Sequence, residues 1–396
     1  MEKRLFTAGN AGTDVRSDCQ VSLEPRDQGG LIIHLQSRVK DLYGESILAQ
    51  AREMAAYYGI SHAEILIDDS GALPFVLAAR TEQVMRSATG STKDYLPERT
   101  PASFSKTKRD RFRLTRLYLP GNTPKLMINA GIHNPDGIIL DLEDSVAPAR
   151  KAEARVLVRN ALCALDFYGA ERMVRINQVP EGLIDLPWII PHNVHVILVP
   201  KCESAEQIRM LEDRIEELSK GYQLDQRPFL MPIIESALGI EKAFEIATAS
   251  KNIIAMAIGL EDYTADLGTR RTKEGEESIW ARQRMVNACK AAGIQPIDSV
   301  FSDVDDMDEL LKQAVKSKAL GFEGMGCIHP RQIEVIRKGF MPAPDEITRA
   351  QKIVEAFQEA ESKGLGVVSL GNKMIDPPVV KRALQTLELA RIFNLT

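Results

Sequence analysis

Two stretches of this chain, Phe229-Leu-Met-Pro-Ile-Ile-Glu235-Ser236 and Ile253-Ile-Ala-Met-Ala-Ile-Gly-Leu-Glu-Asp262, place an acidic residue at or shortly after the end of an apolar run. The runs are short, contain β-branched residues and are separated by a helix-like stretch, which is typical of buried parallel strands in an α/β fold. In such folds the ligand binds at the carboxyl ends of the strands. Glu235 and Asp262 would therefore offer hard oxygen ligands to a divalent cation such as Mg²⁺.

The same alternation of short apolar runs and longer amphipathic stretches continues on both sides of these two segments. One of the helical stretches is Ala205–Leu218, whose apolar residues recur at helical spacing. Eight such strand and helix units predict an α/β fold of the TIM (β/α)8 barrel type. The predicted strands are Arg116–Pro120, Gly137–Leu142, Arg172–Ile176, His195–Pro200, Phe229–Ile234, Ile253–Ile258, Gln295–Val300 and Gly321–Cys327.

A barrel requires polar residues at the carboxyl ends of its strands, because the loops there build the active site. Every predicted strand meets this requirement, whereas chance placement of polar residues after apolar runs would explain one or two cases. These strand-end residues are Gly121, Asn122, Asp141, Glu143, Asp144, Arg175, Asn177, Lys201, Glu235, Asp262, Asp298 and His329.

A polar segment, Tyr95–Arg111, interrupts the pattern with two prolines and a cluster of basic residues, and it reads as a linker. We therefore divide the chain into a small domain (1–95), a linker (96–111) and the barrel domain (112–396). The small domain is predicted to be α+β, with strands at Leu31–Leu35 and Glu64–Ile67 and a helix at Glu45–Tyr58. Two further helices, 344–360 and 377–392, extend the barrel around the glycine-bearing segment 364–371.

Composition narrows the range of functions. A net charge of −5 argues against nucleic acid or an anionic membrane as partner, although it allows a local basic pocket. No apolar stretch approaches the ~20 residues that span a bilayer, and the first residues lack a signal-peptide core. The five cysteines are scattered and indicate reduced thiols of a cytoplasmic protein. The histidines show no zinc-ligand spacing beyond the loose pair His192 and His195.

The barrel domain resembles the β subunit of citrate lyase and its relatives in the HpcH/HpaI aldolase superfamily. The resemblance covers essentially the whole domain, and its motifs occur in order. They are Leu119-Pro-Gly121, Asp141-Leu-Glu-Asp-Ser-Val146 followed by Lys151-Ala-Glu-Ala-Arg155, Val174-Arg-Ile-Asn177, Ile234-Glu-Ser-Ala-Leu-Gly239, Gly259-Leu-Glu-Asp-Tyr-Thr-Ala-Asp-Leu-Gly268, Gly321-Phe-Glu-Gly324, Ile328-His-Pro330 and Gly366-Val-Val-Ser-Leu-Gly-Asn-Lys-Met-Ile-Asp376.

The small domain resembles the γ subunit of citrate lyase, an acyl carrier protein, at Ala11-Gly-Thr13, Ser17-Asp18, Tyr43-Gly-Glu-Ser-Ile47 and Asp68-Asp-Ser-Gly-Ala-Leu73. That family carries its acyl substrate on a phosphoribosyl-dephospho-CoA group attached to a serine. Here Arg16 stands in the usual serine position and Ser17 follows it. Either Ser17 carries the group in a shifted register, or the modification has been lost. Met325 also departs from the family, which often has a lysine there.

The resemblance implies roles for the residues at the strand ends. Glu235 and Asp262 match the Mg²⁺ ligands of the family, and Arg175 matches its substrate arginine. Asp298 matches the acidic residue that moves the enolate proton, although it could instead cap the next helix. Glu143 and Asp144 lie beside the metal in the family. Gly121, Asn122 and Lys201 are further candidates for substrate binding.

Three functions are compatible with these residues. The first is Mg²⁺-dependent retro-aldol cleavage of a citryl group, carried by the N-terminal domain, to an acetyl thioester and oxaloacetate. A closely related possibility is cleavage of a citramalyl group to an acetyl thioester and pyruvate. The second is cleavage of a free CoA thioester of the malyl or citramalyl type, which Arg16 and Met325 favour. The third is a carrier or assembly subunit with an inactive barrel. The resemblance suggests a homotrimer, or a larger complex with a transferase subunit.

Overall fold

The structure is a computed structural model that describes residues 4–362, 368–370, 373–393 and 395. Among these residues, no helix is both long and apolar enough to cross a membrane. The five cysteines are all free and buried, as the sequence suggested.

The N-terminal part forms a four-stranded sheet covered by two helices. Its strands are β1 (Phe6–Gly9), β2 (Cys19–Pro25), β3 (Leu31–Ser37) and β4 (Ala63–Asp69), and its helices are α1 (Lys40–Tyr57) and α2 (Pro74–Thr89). The strand order is β1-β2-β4-β3, and only the β3–β4 pair is parallel. The two predicted strands and the predicted helix are confirmed. The prediction missed β1, β2 and α2.

Eight parallel strands form the second sheet and confirm the barrel. They are β5 (Thr115–Pro120), β6 (Gly137–Asp141), β7 (Glu171–Arg175), β8 (Val196–Val199), β9 (Phe229–Ile234), β10 (Ala255–Ile258), β11 (Gln295–Ile297) and β12 (Met325–Cys327). Neighbours along the chain pair with each other, and β12 pairs with β5. A bridge between Asp298 and Met325 closes the ring between β11 and β12.

The helices lie outside this ring. They are α3 (Pro124–Met127), α4 (Lys151–Ala164), α5 (Leu186–Ile189), α6 (Ala205–Gly221), α7 (Ala237–Glu241), α8 (Ala243–Ala247), α9 (Leu260–Asp266), α10 (Ile279–Ala292), α11 (Met307–Leu320) and α12 (Arg331–Phe340). The tail adds α13 (Pro344–Ser362), the hairpin β13 (Val368–Leu370) and β14 (Lys373–Ile375), and α14 (Pro377–Ile392). Both predicted tail helices are confirmed. The predicted segment 364–371 lies largely outside the described residues.

Several predicted strands were too long. The last one starts at Met325 rather than Gly321, because Gly321 ends α11 in the left-handed conformation, with φ 101°. The strand predicted over Gln295–Val300 ends at Ile297, and beyond it only Asp298 keeps a bridge to β12. Apolar residues that flank a strand lengthen the apolar run in the sequence, but they do not add backbone pairing to the strand.

The helix α2 joins the two parts of the protein. Its Phe75, Val76 and Ala79 belong to the core between the barrel strands and their helices, whereas Leu77 and Met85 belong to the core of the small sheet. A helix with apolar residues on all sides must be buried on all sides. The small domain is therefore packed firmly against α4 of the barrel.

Ion pairs fix this contact. Glu82 of α2 is fully buried and accepts hydrogen bonds from both terminal nitrogens of Arg159 on α4, at 2.9 and 2.6 Å. Arg80 of α2, also fully buried, pairs with Asp18 of the small domain and lies 3.6 Å from Glu153 of α4. Buried charges tolerate such positions only when they are paired.

The segment predicted as a linker runs along the amino-terminal end of the barrel and is bonded to it. Arg109 donates to the carbonyl of Ile253, and Arg111 donates to the carbonyl of Gly169. Arg113, fully buried, forms a two-point ion pair with the buried Glu171 of β7. The basic cluster therefore anchors the segment. The exact domain boundaries at 95 and 112 stay a prediction.

We predict that Glu82→Gln lowers the free energy of unfolding by about 3 kcal/mol, because it leaves the buried Arg159 without its main counter-ion. Urea unfolding measures the change. The matched control is Glu217→Gln, which breaks the exposed pair Arg214–Glu217 and should cost less than about 1 kcal/mol. Equal losses in the two variants would contradict the role given to the buried pair.

Candidate active site

A cavity of about 350 Å³ opens at the carboxyl ends of the barrel strands. It brings together four of the residues predicted from the sequence, namely Arg175, Glu235, Asp262 and Asp298. The charged residues that line it are Arg116, Asp141, Arg175, Glu235, Glu261, Asp262 and Asp298.

Glu235 follows the last residue of β9 and is only 6% exposed. One carboxylate oxygen accepts a hydrogen bond of 2.7 Å from the backbone N–H of Lys201. The other lies against Gly259, where a Cβ atom would approach it to 2.6 Å, so the close contact requires glycine. Burial, together with the charges of Asp262 and Glu143, raises the pKa of Glu235 to about 8. Arg175 opposes this shift, but no side chain of the described residues forms an ion pair with the Glu235 carboxylate.

Asp262 lies in the first turn of α9, directly after β10, and faces the same cavity. Burial is the main cause of the raised pKa of Glu235, and a divalent cation between Glu235 and Asp262 would offset both this burial and the repulsion between the two carboxylates. The described residues contain no cluster of three or more His, Cys, Asp or Glu side chains able to hold a metal. Two carboxylates nevertheless suit Mg²⁺, which keeps several waters and is often bound by one or two carboxylates plus substrate oxygens.

Arg175, the last residue of β7, forms ion pairs with two acidic residues. Its Nε and Nη2 donate to the two oxygens of Asp141 at 2.7 and 2.8 Å, and its Nη1 lies 2.8 Å from Glu143. Burial alone would lower the pKa of Arg175, but the bonds to Asp141 outweigh it and raise the pKa above its usual range. The guanidinium is therefore a permanent, oriented cation.

Glu143 and Asp144 contact cations rather than the cavity. Lys201 donates to Glu143 at 2.7 Å and to both oxygens of Asp144 at 3.2 Å. Burial raises the pKa of Glu143, although Arg175 opposes the shift. Lys201, with φ 47°, holds a left-handed turn that directs its backbone N–H to Glu235. Glu143, Asp144 and Lys201 therefore hold Arg175 and Glu235 in position, although they do not line the cavity themselves.

Asp298, predicted as the acid that moves the enolate proton, is 3% exposed and already engaged. One oxygen accepts hydrogen bonds from Arg282 and from Ser317, and the other accepts from the N–H of Ser299. Met325, at the position of the family's lysine, lies beside Ser317. These contacts favour a positioning role, and the acid–base role of Asp298 stays a prediction.

The first loop of the barrel connects the cavity to the small domain. The N–H of Gly121 bonds to the carbonyl of Asp141, where a side chain would not fit, so this N–H holds the loop against β6. The carbonyl of Asn122 accepts a hydrogen bond of 3.0 Å from Arg80. Arg80 also donates two hydrogen bonds to the carboxylate of Asp18, which follows Ser17. The loop that carries Ser17 is thus held beside the active-site face.

Ser17 is partly exposed and adopts φ 55°, a left-handed conformation that few residues other than glycine adopt readily. Its N–H bonds to the carbonyl of Ser70. A small cleft of about 130 Å³ separates the Ser17 loop, with Asp14 and Arg16, from Thr123 and Lys125 of the barrel.

His192 and His195 do not form a metal site. Nδ1 of His192 lies beside Arg99 and Cys163, whereas His195 is bonded to the N–H of Arg172 and the carbonyl of Ser105. Burial lowers the pKa of His192 to about 3 and that of His195 to about 4, so both are neutral and structural.

The sequence reasoning noted Asp141 at a strand end without giving it a role, and it missed Arg116 and Tyr118 in the cavity wall. Tyr118 lies 5.4 Å below the guanidinium of Arg175, measured from the ring centroid. Both missed residues could have been found from their spacing. They lie two residues apart on β5, so their side chains point to the same face of the strand, which is the face that lines the barrel interior.

Comparison with known proteins agrees with this geometry. Residues 114–330 match the family model described as HpcH/HpaI aldolase/citrate lyase. The chain belongs to this family. It is therefore a carbon–carbon lyase of the citrate lyase β type.

Among its relatives, citrate lyase subunit beta of Haemophilus influenzae is 40% identical over 71% of this chain and 98% of its own length. The human mitochondrial citramalyl-CoA lyase is 35% identical over 69% of this chain and 84% of its own length. A crystal structure of CitE from Mycobacterium tuberculosis, in complex with magnesium, acetoacetate and coenzyme A, is similar with a TM-score of 0.57. That protein is 28% identical, and the match covers 72% of this chain and 99% of CitE.

The N-terminal residues 7–88 match an acyl carrier family described as malonate decarboxylase delta subunit (MdcD). This match confirms an acyl-carrier-like segment in front of the barrel.

We predict that Glu235→Gln weakens Mg²⁺ binding at least about 100-fold, because loss of a ligand should exceed the 10–100-fold typical for an outer partner. Isothermal titration with Mg²⁺ measures the affinity. The control is Glu261→Gln, beside Asp262, whose carboxylate is already taken by Arg271 and Ser302. It should change the affinity less than about threefold. Equal heats from wild type and Glu235→Gln would reject the metal assignment.

Proposed function

We propose that this protein cleaves a citryl thioester, carried on its own N-terminal domain, to an acetyl thioester and oxaloacetate in a Mg²⁺-dependent reaction. The observation that carries the proposal is that two carboxylates without an ion-pair partner in the described residues, Glu235 and Asp262, share one cavity with the oriented cation Arg175. A reaction that moves negative charge from an alkoxide to an enolate requires both features.

The metal would be held by Glu235 and Asp262, and the related CitE structure contains magnesium. When bound there, Mg²⁺ would act as a Lewis acid for the 2-hydroxy carboxylate of the substrate. Asp141 fixes Arg175 so that its guanidinium meets a carboxylate or enolate oxygen without reorienting, which lowers the cost of stabilising the developing charge. The cavity walls of Tyr118, Ile233 and Ala257 limit the access of water to that charge.

Delivery from Ser17 is supported by the position of its loop. Arg80 ties the neighbouring Asp18 to the carbonyl of Asn122, on the first active-site loop. Because the small domain is fixed by buried ion pairs, an acyl group on Ser17 would have to reach the cavity by means of its flexible prosthetic arm. Phosphoribosyl-dephospho-CoA on Ser17 would provide such an arm.

A second candidate is cleavage of a free CoA thioester, such as citramalyl-CoA or malyl-CoA. Arg16 and Lys125 face each other across the cleft beside Ser17, and neither forms an ion pair within the described residues. Two such cations suit the phosphates of coenzyme A, which the related CitE structure contains. In either case we propose a homotrimer, or a larger complex with a transferase subunit that reloads the carrier.

We predict that Arg175→Lys lowers kcat/KM by about 10²-fold, because lysine cannot reproduce the two-point contact with Asp141. The assay supplies Mg²⁺ with citryl-CoA or citramalyl-CoA and quantifies oxaloacetate or pyruvate. Arg271→Lys, at a partly buried position outside the lining of the cavity, is the control and should retain activity. Absence of both products from wild-type protein bearing Mg²⁺ would contradict the proposed function.

We predict that protein from the native host carries a covalent addition on the peptide containing Ser17, and that Ser17→Ala lacks it. Intact-mass and peptide mass spectrometry give the result. Ser46→Ala, at an exposed serine of the same domain, should keep the addition. An unmodified Ser17 in active protein would exclude self-carriage and leave the free CoA thioester as substrate.

A further inference from the structure

Arg116 is a buried cation inside the barrel. It lies on β5 two residues before Tyr118, so both side chains point to the interior face, and it is 1% exposed. Its side chain lines the same cavity as Glu235, Asp262 and Arg175. A charged residue in the interior of a barrel is costly unless it has a partner.

The partners of Arg116 are poor in comparison with those of the other fully buried arginines. Arg80, Arg113 and Arg159 each pair with a carboxylate, and Arg172 donates to backbone carbonyls. Arg116 meets one weak acceptor, the sulfur of Met231 at 3.2 Å from Nη1, and its buried Nε has no partner. No carboxylate forms an ion pair with it in the part of the chain that the structure describes. Burial accordingly lowers its pKa.

The two arginines of the cavity therefore differ in what they can offer a ligand. Arg175 is paired with Asp141 and Glu143, whereas Arg116 has no carboxylate partner within the described residues. The acids that lack a cation, Glu235 and Asp262, follow the ends of β9 and β10, and Arg116 lies near the start of β5. The cavity thus separates an unpaired negative pair at the loop end from an unpaired positive charge in its interior.

The chemistry of the substrate decides which group can reach Arg116. The carbon that bears the hydroxyl has four substituents. The hydroxyl and the carboxylate on this carbon would bind at Glu235, Asp262 and Arg175. The thioester arm must extend through the opening of the cavity, because it is attached to a large carrier or to CoA. Only the fourth substituent is free to point inward.

We propose that Arg116 binds a carboxylate on this fourth substituent, so that the site selects substrates with a carboxymethyl group over those with a methyl or ethyl group. The inference rests on the proposed function and extends it to the choice of substrate. It predicts that the cavity retains the dicarboxylic oxo acid as product in preference to a monocarboxylic analogue.

The test compares oxaloacetate with 2-oxobutyrate, which replaces the carboxymethyl group by a smaller, uncharged ethyl group. Isothermal titration in Mg²⁺ gives the two affinities for wild type, Arg116→Met and the control Arg209→Met, which removes one positive charge from the exposed face of α6. We expect wild type and the control to bind oxaloacetate at least about tenfold more tightly. Arg116→Met should lose that preference and keep its affinity for 2-oxobutyrate, as expected for a lost charge-assisted bond.

Each result decides a different question. If Arg116→Met keeps the preference for oxaloacetate, the inference is wrong and the proposed lyase function stands. If neither oxo acid binds the wild type in Mg²⁺, the inference and the proposed function both fail. Removal of an unpaired buried charge should leave the melting temperature unchanged or higher. Should Arg116→Met not fold, the wild type alone is decisive, because equal affinities for the two oxo acids overturn the proposal.

Discussion

The structure of this site depends on one electrostatic constraint: Glu235 and Asp262 face a common cavity, and within the described residues neither carboxylate forms an ion pair. The cations nearest to the strand ends are already paired, since Arg175 is held by Asp141 and Glu143, and Lys201 is held by Glu143 and Asp144, whereas Arg116 lies deeper in the barrel. Burial of Glu235, together with the like charge of the exposed Asp262 beside it, raises the pKa of Glu235 and costs stability. A protein that retains such an arrangement gains from it only when a cation binds.

The surrounding structure maintains this charge pattern. Gly259 leaves room for the carboxylate of Glu235, and the left-handed turn at Lys201 supplies a backbone N–H to it without bringing the ammonium group to the metal position. Arg116 provides the complementary feature, a cation without an acid. A ligand that carries its own metal-binding oxygens at one end and a carboxylate at the other would satisfy both sets of charges at once.

Much of the barrel is visible in the sequence, because parallel strands buried on both faces read as apolar runs that end in polar residues. Glu235, Asp262 and Arg175 were found for that reason. The alternation of apolar and polar residues does not predict features that depend on contacts between residues far apart in the sequence. Arg116 reads as an ordinary polar residue at a strand start, and its burial follows only from barrel closure. Likewise, Glu82 and Arg159 lie 77 positions apart, so their ion pair has no local signal.

The fixed position of the small domain has a consequence for how an acyl group would travel. Carrier domains that deliver substrate by moving as whole bodies need an interface that separates easily. Here α2 contributes to two cores at once, and the buried Arg80 and Glu82 form ion pairs whose separation would expose unpaired charges. Domain movement would therefore be costly at every turnover, whereas rotation of a flexible arm is not. The same rigidity also suits a free thioester, because the two loops that carry Arg16 and Lys125 then keep their positions on either side of the cleft.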